Sequence, residues 1–308
     1  HEPSRRQRQM CIRDSINAIQ NEEGHYSFSL FWQKFTSRAI WDLNCLGGEL
    51  SCGVAWNSLW MAVLVGATTT LLGLAFALLV TRTGIQAKAF IRVSSLLPII
   101  TPPFVIGLAL ILLFGRSGAL NGFLEWAFGI PPTRWIYGLP GIWLAQTLAF
   151  TPIAFLVLIG VVEGVSPSME EASQTLRASH WQTFWTVSLP LMRPGIANAF
   201  LLGFIESLAD FGNPLVLGGS YEVLSTQIFF AIAGAQADQG MAAVLAIVLL
   251  IFTLTAFFLQ RWWVGKKSYA TVTGKGDAGV HVRLPKRARY ASYILSLIHI
   301  SEPTRPSS

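Results

Sequence analysis

Of the 308 residues in this chain, 52% are hydrophobic and only 12% are charged, and the mean hydropathy is +0.50. A soluble protein of this size does not need such an apolar excess, so the composition excludes an ordinary soluble enzyme and predicts an all-α, polytopic membrane protein. The formal net charge is +6, yet the basic residues lie beside apolar segments, where they report membrane topology and do not indicate nucleic-acid binding.

Both ends of the sequence look foreign to the rest of the chain. Residues 5–15 read RRQRQMCIRDS and residues 295–305 read LSLIHISEPTR; both resemble translations of the adapters used in transposon-based DNA sequencing. We therefore interpret residues 1–15 and 295–308 as adapter translation and leave them out of the fold prediction. The same flanks in independently cloned genomic DNA would refute this interpretation.

The first native segment, residues 16–55, is too polar to be a span and predicts a periplasmic loop with a helical piece around residues 28–41. Residues 56–80 are uncharged and long enough to cross a bilayer. Arg82 and further basic residues follow this first span, so the positive-inside rule assigns its end to the cytoplasm.

Two cysteines, Cys45 and Cys52, lie in the predicted periplasmic loop. Outside the cytoplasm a disulfide is stable. The spacing alone leaves a disulfide and two free thiols equally open.

The second predicted span, residues 94–115, carries three prolines. Pro98, Pro102 and Pro103 interrupt helical hydrogen bonding near the cytoplasmic entry. They indicate either a gate or functional kink, or a buried kink without a role.

A Gly- and Pro-rich stretch, residues 116–134, predicts a short external connection. The third span, residues 139–162, then returns the chain to the cytoplasm. There it meets a polar loop, residues 163–194, that has membrane spans on both sides.

Two short helices are predicted in the polar loop. Ser166 and Pro167 form an N-cap and first-turn pair, and Glu170 and Glu171 then lie near a helix N-terminus, where the helix dipole favours negative charge. This first helix should end around Arg177.

The second loop helix begins at a capping box formed by Ser179 and Gln182, and Pro190 is expected to end it. One face carries Trp181, Phe184, Trp185 and Ser188. So much aromatic surface on a short loop helix indicates a binding partner. The alternative is a helix that lies in the membrane interface.

A fourth span begins at Ile196 and carries a polar stripe on one predicted helix face. The stripe consists of Gly203, Glu206, Asp210 and Asn213. Acidic groups at membrane depth normally face a cavity or a partner. The stripe therefore lines the path of a cation, or it forms a hydrogen-bonded seam with a neighbouring helix or with the second half of a transporter.

The rest of the chain predicts a periplasmic dip over residues 221–240 and a fifth span over residues 241–259. The transmembrane domain thus covers residues 56–263. Residues 264–294 are basic and polar, and predict a cytoplasmic linker into a truncated second half.

Neither a catalytic nor a metal-ligating pattern is present in the sequence. Gly274-Lys275-Gly276 lacks the spacing of a Walker A motif, and paired metal ligands are absent, so the prediction is a chain that is not an enzyme and binds no metal or cofactor itself.

The polar loop resembles the EAA loop of ABC-importer permeases, whose pattern is E-A-A, three residues, G, nine residues, I-x-L-P. Glu171-Ala172-Ser173 and Val187-Ser188-Leu189-Pro190 match at the right spacing. We call residues 163–194 the EAA-type loop. Arg177 replaces the Gly of the pattern, so a turn with positive φ is less comfortable there and is expected to move to Ala178 or Ser179.

By this resemblance the EAA-type loop docks on a cytoplasmic ABC ATPase dimer, which uses ATP and Mg²⁺. The residues implied in that docking are Glu170, Glu171, Ala172, Ser173, Leu176, Arg177, Trp181, Phe184, Val187, Leu189 and Pro190.

Longer phrases, such as ANAFLLGFIESLADFGNPLVLGG, resemble the ferric-iron importer permeases. That resemblance implies Fe³⁺ as the substrate, a periplasmic ferric-binding protein, a second permease half fused downstream, and a location in the bacterial inner membrane. The alternatives are thiamine, a polyamine or an oxyanion as the substrate, or a membrane channel or enzyme that works without an ATPase.

Overall fold

The computed structural model describes residues 28–43, 45, 52–82, 101–234 and 238–265. These residues form α-helices and one π-helix, and no strand occurs among them. The helices are α1 (Phe28–Phe35), α2 (Arg38–Trp41), α3 (Val54–Arg82), α4 (Pro103–Phe114), α5 (Ala119–Phe128), α6 (Leu139–Glu163), α7 (Pro167–Thr175), α8 (His180–Thr183), the π-helix (Phe184–Ser188), α9 (Leu189–Ala209), α10 (Gly212–Leu217), α11 (Leu224–Ala233) and α12 (Gln239–Gly265).

Five helical segments in the described ranges are long and apolar enough to cross a membrane, as predicted. They are Val54–Arg82, Pro103–Phe128, Leu139–Glu163, His180–Ala209 and Gln239–Val264. The 25 residues of α6 extend about 38 Å at ~1.5 Å per residue, which exceeds the ~30 Å hydrocarbon core of a bilayer. The all-α, multi-span prediction is therefore confirmed.

Cα packing divides the chain into two compact units. Among the described residues, the first unit comprises residues 28–43, 45, 52–63, 103–145, 207–234 and 238–256. Its buried cluster is formed by α2, the start of α3, α11 and α12, and includes Ile40, Leu224, Val244 and Leu245.

Polar contacts hold the segment before α11 in the first unit. Asn57 Nδ2 donates to the Glu222 carbonyl oxygen over 2.9 Å, and the Tyr221 hydroxyl donates to the Asn57 carbonyl oxygen over 3.0 Å. Burial raises the pKa of Tyr221 above its usual range, so the hydroxyl stays protonated and keeps donating. α11 is thereby fixed against the first turn of α3.

Among the described residues, the second unit comprises residues 64–82, 101–102, 146–206 and 257–265. Its core includes Phe76, Phe155, Leu158 and Met192, all nearly inaccessible to solvent. The rings of Phe76 and Phe155 meet edge to face with centroids 6.3 Å apart, which is a favourable geometry for an aromatic pair. This core supports the EAA-type loop, because Val165, Phe184 and Leu189 pack against it.

The fourth span departs from its predicted start. It begins with α9 at Leu189 and not at Ile196, and Pro190 does not end the preceding helix. The π-helix before it explains the difference: the Leu189 N–H bonds to the carbonyl oxygen of Phe184, five residues back. Since this wide turn already interrupts the i→i−4 ladder, the missing N–H of Pro190 is accommodated within one continuous helical segment.

The region around the second span also differs from its prediction. Residues 116–134, predicted as a short connection, contain the ten-residue helix α5, which Gly129 ends in the left-handed conformation. Pro102 precedes α4 and Pro103 is its first residue, a position that suits proline because a first-turn N–H has no helical acceptor. Within the described residues these two prolines therefore do not interrupt a helix. Pro98 lies outside the described residues.

The other predictions for the two ends of the chain concern residues outside the described ranges. The adapter-like segments at residues 1–15 and 295–308 lie outside them, and so does the linker beyond residue 265.

Candidate coupling site

The first helix of the EAA-type loop begins where the sequence predicts. Ser166 is the N-cap residue of α7 and Pro167 is the first helical residue, although the Ser166 hydroxyl pairs with the Ser168 hydroxyl at 2.7 Å and does not cap the helix. Glu170 lies in the first turn. The position of Pro167 and the negative charge of Glu170 thus agree with a helix N-terminus.

The turn that ends α7 is centred on Arg177, which has φ = 64° and is the only described non-glycine residue with positive φ. The Ala178 N–H donates to the Ser173 carbonyl oxygen over 3.2 Å, and the Arg177 N–H donates to that of Gln174 over 2.9 Å. These two bonds form a Schellman motif around a left-handed residue. The expected shift of the turn to Ala178 or Ser179 is therefore wrong, because the paired bonds hold Arg177 at the position of the family's Gly.

The second loop helix has the predicted capping box. The Gln182 N–H donates to Ser179 Oγ over 3.2 Å, and the Ser179 N–H donates to Gln182 Oε1 over 2.9 Å. Two backbone donors at the start of α8 are satisfied reciprocally. α8 then runs directly into the π-helix and α9.

A buried ion pair lies beneath the loop. The Arg82 guanidinium, in the last residue of α3, donates to Glu170 Oε2, and the exposed fractions of the two side chains are 5% and 2%. The other Glu170 oxygen, Oε1, accepts a hydrogen bond of 2.6 Å from the Ser188 hydroxyl. One carboxylate therefore joins α3, α7 and the π-helix.

The two loop helices are also joined by a pair of hydroxyl groups. Ser173 Oγ donates to the Glu170 carbonyl oxygen over 2.9 Å and lies 2.6 Å from Thr183 Oγ1. Thr183 is buried. Ser173 replaces an Ala of the family pattern, and in this chain it adds a bond between α7 and α8.

The outer surface of the EAA-type loop is apolar and exposed. Leu176, at the end of α7, is 84% exposed. Met169, Trp181 and Trp185 are each about half exposed, and Glu171 beside them is exposed as well. Exposed apolar groups rimmed by charge are typical of a docking surface.

The aromatic residues do not share one face as predicted. The rings of Trp181, Phe184 and Trp185 contact one another with centroids 5.6 to 6.1 Å apart. Phe184, however, packs against the core, and Ser188 is buried beside Glu170. The π-helix shifts the angular spacing within this stretch, so only the two tryptophans face outward.

The four residues of the predicted polar stripe lie in different structural environments. Gly203 is buried where α9 crosses α3, and a Cβ there would lie 2.6 Å from Thr69 Oγ1 and 3.3 Å from Gly66 Cα. Only glycine fits this close approach of two helices without a shift. Glu206 is half-buried on the same helix.

Asp210 lies beyond the end of α9 and not on its face. Its Oδ1 accepts the Gly212 N–H over 3.1 Å, and its Oδ2 accepts the Asn213 side-chain amide over 2.8 Å. Asn213 is fully buried in α10, in contact with Gly107 of α4. The prediction that all four residues share one helix face is therefore wrong, because the chain breaks at Asp210 to start α10.

The remaining predicted residues lie in the first unit. Cys45 and Cys52 form a disulfide pair with their Cα atoms 4.9 Å apart. Among the described residues no group of three or more His, Cys, Asp or Glu side chains forms a candidate metal site.

The span pattern and the helical pair of the EAA-type loop agree with one class of protein, the membrane-embedded permeases of ABC importers. A family model described as "Binding-protein-dependent transport system inner membrane component" matches residues 57–268. The chain belongs to this family. It is accordingly a multi-pass protein of the inner membrane and a transport component, as predicted, and not an enzyme.

Two sequence relatives are named as ferric permeases. The chain is 46% identical over 267 residues to the "Ferric transport system permease protein FbpB" of Actinobacillus pleuropneumoniae, which covers 87% of this chain and 39% of that protein. It is 50% identical over 237 residues to the "Putative ferric transport system permease protein FbpB 1" of Haemophilus influenzae, which covers 77% of this chain and 38% of that protein. The chain therefore spans about two fifths of the length of these relatives.

A solved structure shares the fold. A bacterial alginate ABC transporter in complex with an alginate pentasaccharide-bound periplasmic protein matches with a TM-score of 0.66 at 17% identity, over 86% of this chain and 90% of that chain. This likeness supports the transmembrane fold of an ABC importer.

Sequence reasoning missed the roles of three residues in the loop's interior. Arg82 reads as one of several basic residues that mark the cytoplasmic side, Ser188 is predicted on the aromatic face of the second loop helix, and the sequence does not single out Thr183. Only the tertiary structure brings them to Glu170 and Ser173.

Proposed function

We propose that this chain is the permease subunit of a binding-protein-dependent importer that moves ferric iron across the bacterial inner membrane, with energy supplied by ATP hydrolysis in a separate ATPase subunit. The observation that carries the proposal is the 46% and 50% identity to permeases named for ferric transport, which extends over most of the chain. Thiamine, polyamines and oxyanions are less supported as substrates.

The EAA-type loop is the proposed docking element for a cytoplasmic ATPase dimer. Leu176, Trp181 and Trp185 offer exposed apolar side chains, and the exposed Glu171 offers a charge at their edge. Large aromatics in a groove supply most of the binding energy in such interfaces, and a rim charge fixes orientation. ATP and Mg²⁺ belong to the ATPase, and this chain binds no cofactor of its own.

A second permease half and a periplasmic ferric-binding protein complete the proposed importer. The matched relatives are more than twice as long as the segment they share with this chain. That length has room for a second six-helix half, which we propose is fused downstream of the fifth span.

The contacts of Asp210 favour a structural seam over a binding site for iron. Asp210 already accepts bonds from the backbone and side chain of α10. A carboxylate that bound Fe³⁺ strongly in the pathway would retain the ion and slow its release. Glu206, which is half-buried, is the residue proposed to face the pathway or the second half.

Transport in proteoliposomes tests the proposal. The complete permease is reconstituted with its ATPase and its binding protein, and the uptake of radiolabelled Fe³⁺ is measured with ATP inside or outside the vesicles. We expect uptake only when ATP reaches the ATPase, and no competition from excess molybdate, thiamine or spermidine.

A matched control uses an ATPase whose Walker A lysine is replaced, which should abolish uptake. If one of the competitors is taken up and iron is not, ferric iron is not the substrate. Iron uptake that persists with the inactive ATPase would overturn the proposal of an ATP-driven importer and favour a channel.

A further inference from the structure

We propose that Arg82 and Glu170 form a positioning pair that joins the cytoplasmic end of α3 to the EAA-type loop, so that displacement of the loop by the ATPase is passed to α3. The inference rests on the proposed function, because only a transporter driven from the loop requires such a connection. Neither residue is assigned to contact the substrate or ATP.

The first support is the position of the pair. Arg82 is the last residue of α3 and Glu170 lies in the first turn of α7, 88 positions along the chain. The covalent path between these two helices runs through the whole of the second and third spans. Apolar packing also joins α3 to the loop, because Phe76 shares a buried cluster with Val165 and Phe184 packs against it. The ion pair adds a direct side-chain bond between the last residue of α3 and the first turn of α7.

The second support is electrostatic. Both side chains are almost completely buried, at 5% and 2% exposure. Burying two charges costs desolvation free energy, whereas burying two apolar side chains of similar volume does not. Stabilisation of the fold alone therefore does not explain an ion pair at this position. Separating the partners, however, would leave a buried and uncompensated charge on each side, which is strongly unfavourable. The end of α3 and the loop therefore move together.

The third support is that two neighbouring carboxylates of α7 face opposite directions. Glu170 points inward to Arg82 and Ser188, whereas Glu171 is exposed on the outer side of α7. One turn of helix thus presents one carboxylate to the interior of the permease and the next to the cytoplasm. A force applied at the exposed side reaches Glu170 through less than one turn of helix.

The loop itself is held as one piece. The Ser173–Thr183 hydroxyl contact at 2.6 Å joins α7 to α8, and the Ser188–Glu170 bond at 2.6 Å joins the π-helix to α7. Contiguous packed and bonded elements of this kind can carry energetic coupling between distant sites. The Arg82–Glu170 pair extends this connected group to α3.

Hydrogen exchange in the complete transporter tests the inference. The full permease, assembled with its ATPase in nanodiscs, is compared with and without a non-hydrolysable ATP analogue. In the wild type we expect the analogue to change exchange both in the EAA-type loop and in the last turns of α3, residues 76–82. Glu170 is 2% exposed and bonds inward to Arg82 and Ser188, so it is not part of the exposed docking surface that its loop position implies. In Glu170→Gln we therefore expect the loop to respond as before while the α3 response falls about fivefold or more.

The control is Glu125→Gln, the same substitution at an exposed position of α5 in the other unit. It should leave both responses unchanged. An α3 response in Glu170→Gln equal to that of the wild type would overturn the inference.

A second variant keeps the test decisive if Glu170→Gln does not insert. In a version whose other cysteines are replaced by serine, Arg82→Cys and Glu170→Cys are combined and joined by a short bis-methanethiosulfonate cross-linker, each cysteine forming a disulfide with release of methanesulfinate. We expect the joined protein to recover the α3 response and the unjoined protein to lack it. Equal responses in the two states would count against the positioning role.

The exchange readout needs no iron, so it separates the two proposals. Absent iron uptake together with a normal α3 response would overturn the ferric substrate alone. A wild-type loop that does not respond to the nucleotide analogue would overturn the proposed ATPase docking, and the positioning pair with it.

Discussion

The EAA-type loop and the segment from Gly203 to Asn213 are both polar stretches of the transmembrane domain, and their polar groups form different kinds of contact. In the loop, polar side chains bond mainly to one another and to α3, so that α7, α8 and the π-helix form one connected body. In the second stretch each residue serves a different neighbour: Gly203 meets α3, and Asp210 caps the start of α10. The loop is therefore built to move as a unit, and the second stretch is built to hold separate helices in place.

The largest expected effect is at the exposed surface of the loop. Glu171→Lys should abolish transport and lower the affinity of the ATPase for the loop by about 30-fold or more. The variant places a positive charge opposite the positive charge that the ATPase is proposed to present to Glu171. Insertion into the membrane should be normal, since Glu171 makes no contact with the core. Cross-linking of the loop to the ATPase measures the effect.

Its control is Glu125→Lys on α5, which should leave cross-linking unchanged. Normal cross-linking in Glu171→Lys would show that this carboxylate does not take part in docking.

The next effect concerns the helix crossing in the second stretch. Gly203→Leu should lower stability by about 1–3 kcal/mol, because even its Cβ overlaps Thr69 Oγ1. Thermal unfolding in detergent measures this loss. Glu206→Gln, three positions further on the same helix, should change stability by no more than ~0.5 kcal/mol. If both variants unfold like the wild type, the crossing at Gly203 is not a tight one.

A smaller and opposite effect is expected at the turn of the loop. Arg177→Gly should stabilise the end of α7 by up to about 1 kcal/mol, because glycine adopts φ = 64° without the steric cost of a Cβ. Amide exchange at Ala178, whose N–H closes the Schellman motif, reports the change. Arg177→Ala keeps the Cβ and should give no gain; an equal gain would assign the effect to the charge.

The smallest effect is at a half-exposed ion pair in the first unit. Desolvation raises the pKa of Asp238, but the hydrogen bond and charge of Lys34 and the backbone N–H of Met241 outweigh it, so that the pKa lies below the usual 3.8. A lowered pKa in the folded state means that the stabilisation is present above about pH 4 and is lost as the pH falls through the folded value.

Lys34→Met should therefore lower stability by no more than ~1 kcal/mol at neutral pH. This difference from the wild type should vanish in acid, as measured by thermal unfolding against pH. A difference that persists unchanged below the folded pKa would assign the effect of Lys34 to packing of its aliphatic chain.

The sequence predicts best where the deciding interactions are local. The Ser179–Gln182 capping box and the start of α7 at Pro167 are formed by residues within one turn of each other, and the five spans follow from length and hydropathy. Pattern matching to a family adds the EAA-type loop, because its spacing is fixed by the two helices it contains.

The failures come from bonds that the local pattern does not contain. Arg177 stays in a left-handed turn because two backbone bonds hold it there, and Pro190 is tolerated because the π-helix precedes it. The Arg82–Glu170 pair joins residues from two distant helices, and no spacing rule connects them. The first two are backbone bonds that the residue pattern does not specify, and the third is decided by tertiary packing.

The π-helix at Phe184–Ser188 also fixes the angular phase between the loop and the fourth span. A π turn holds one residue more than an α turn, and each α-helical residue corresponds to ~100° of rotation about the axis. Deleting one residue from this stretch would restore an α-helix and rotate α8, with the outward Trp181, by about that angle relative to α9. The direction in which the docking surface faces is thus set by a single residue of chain length.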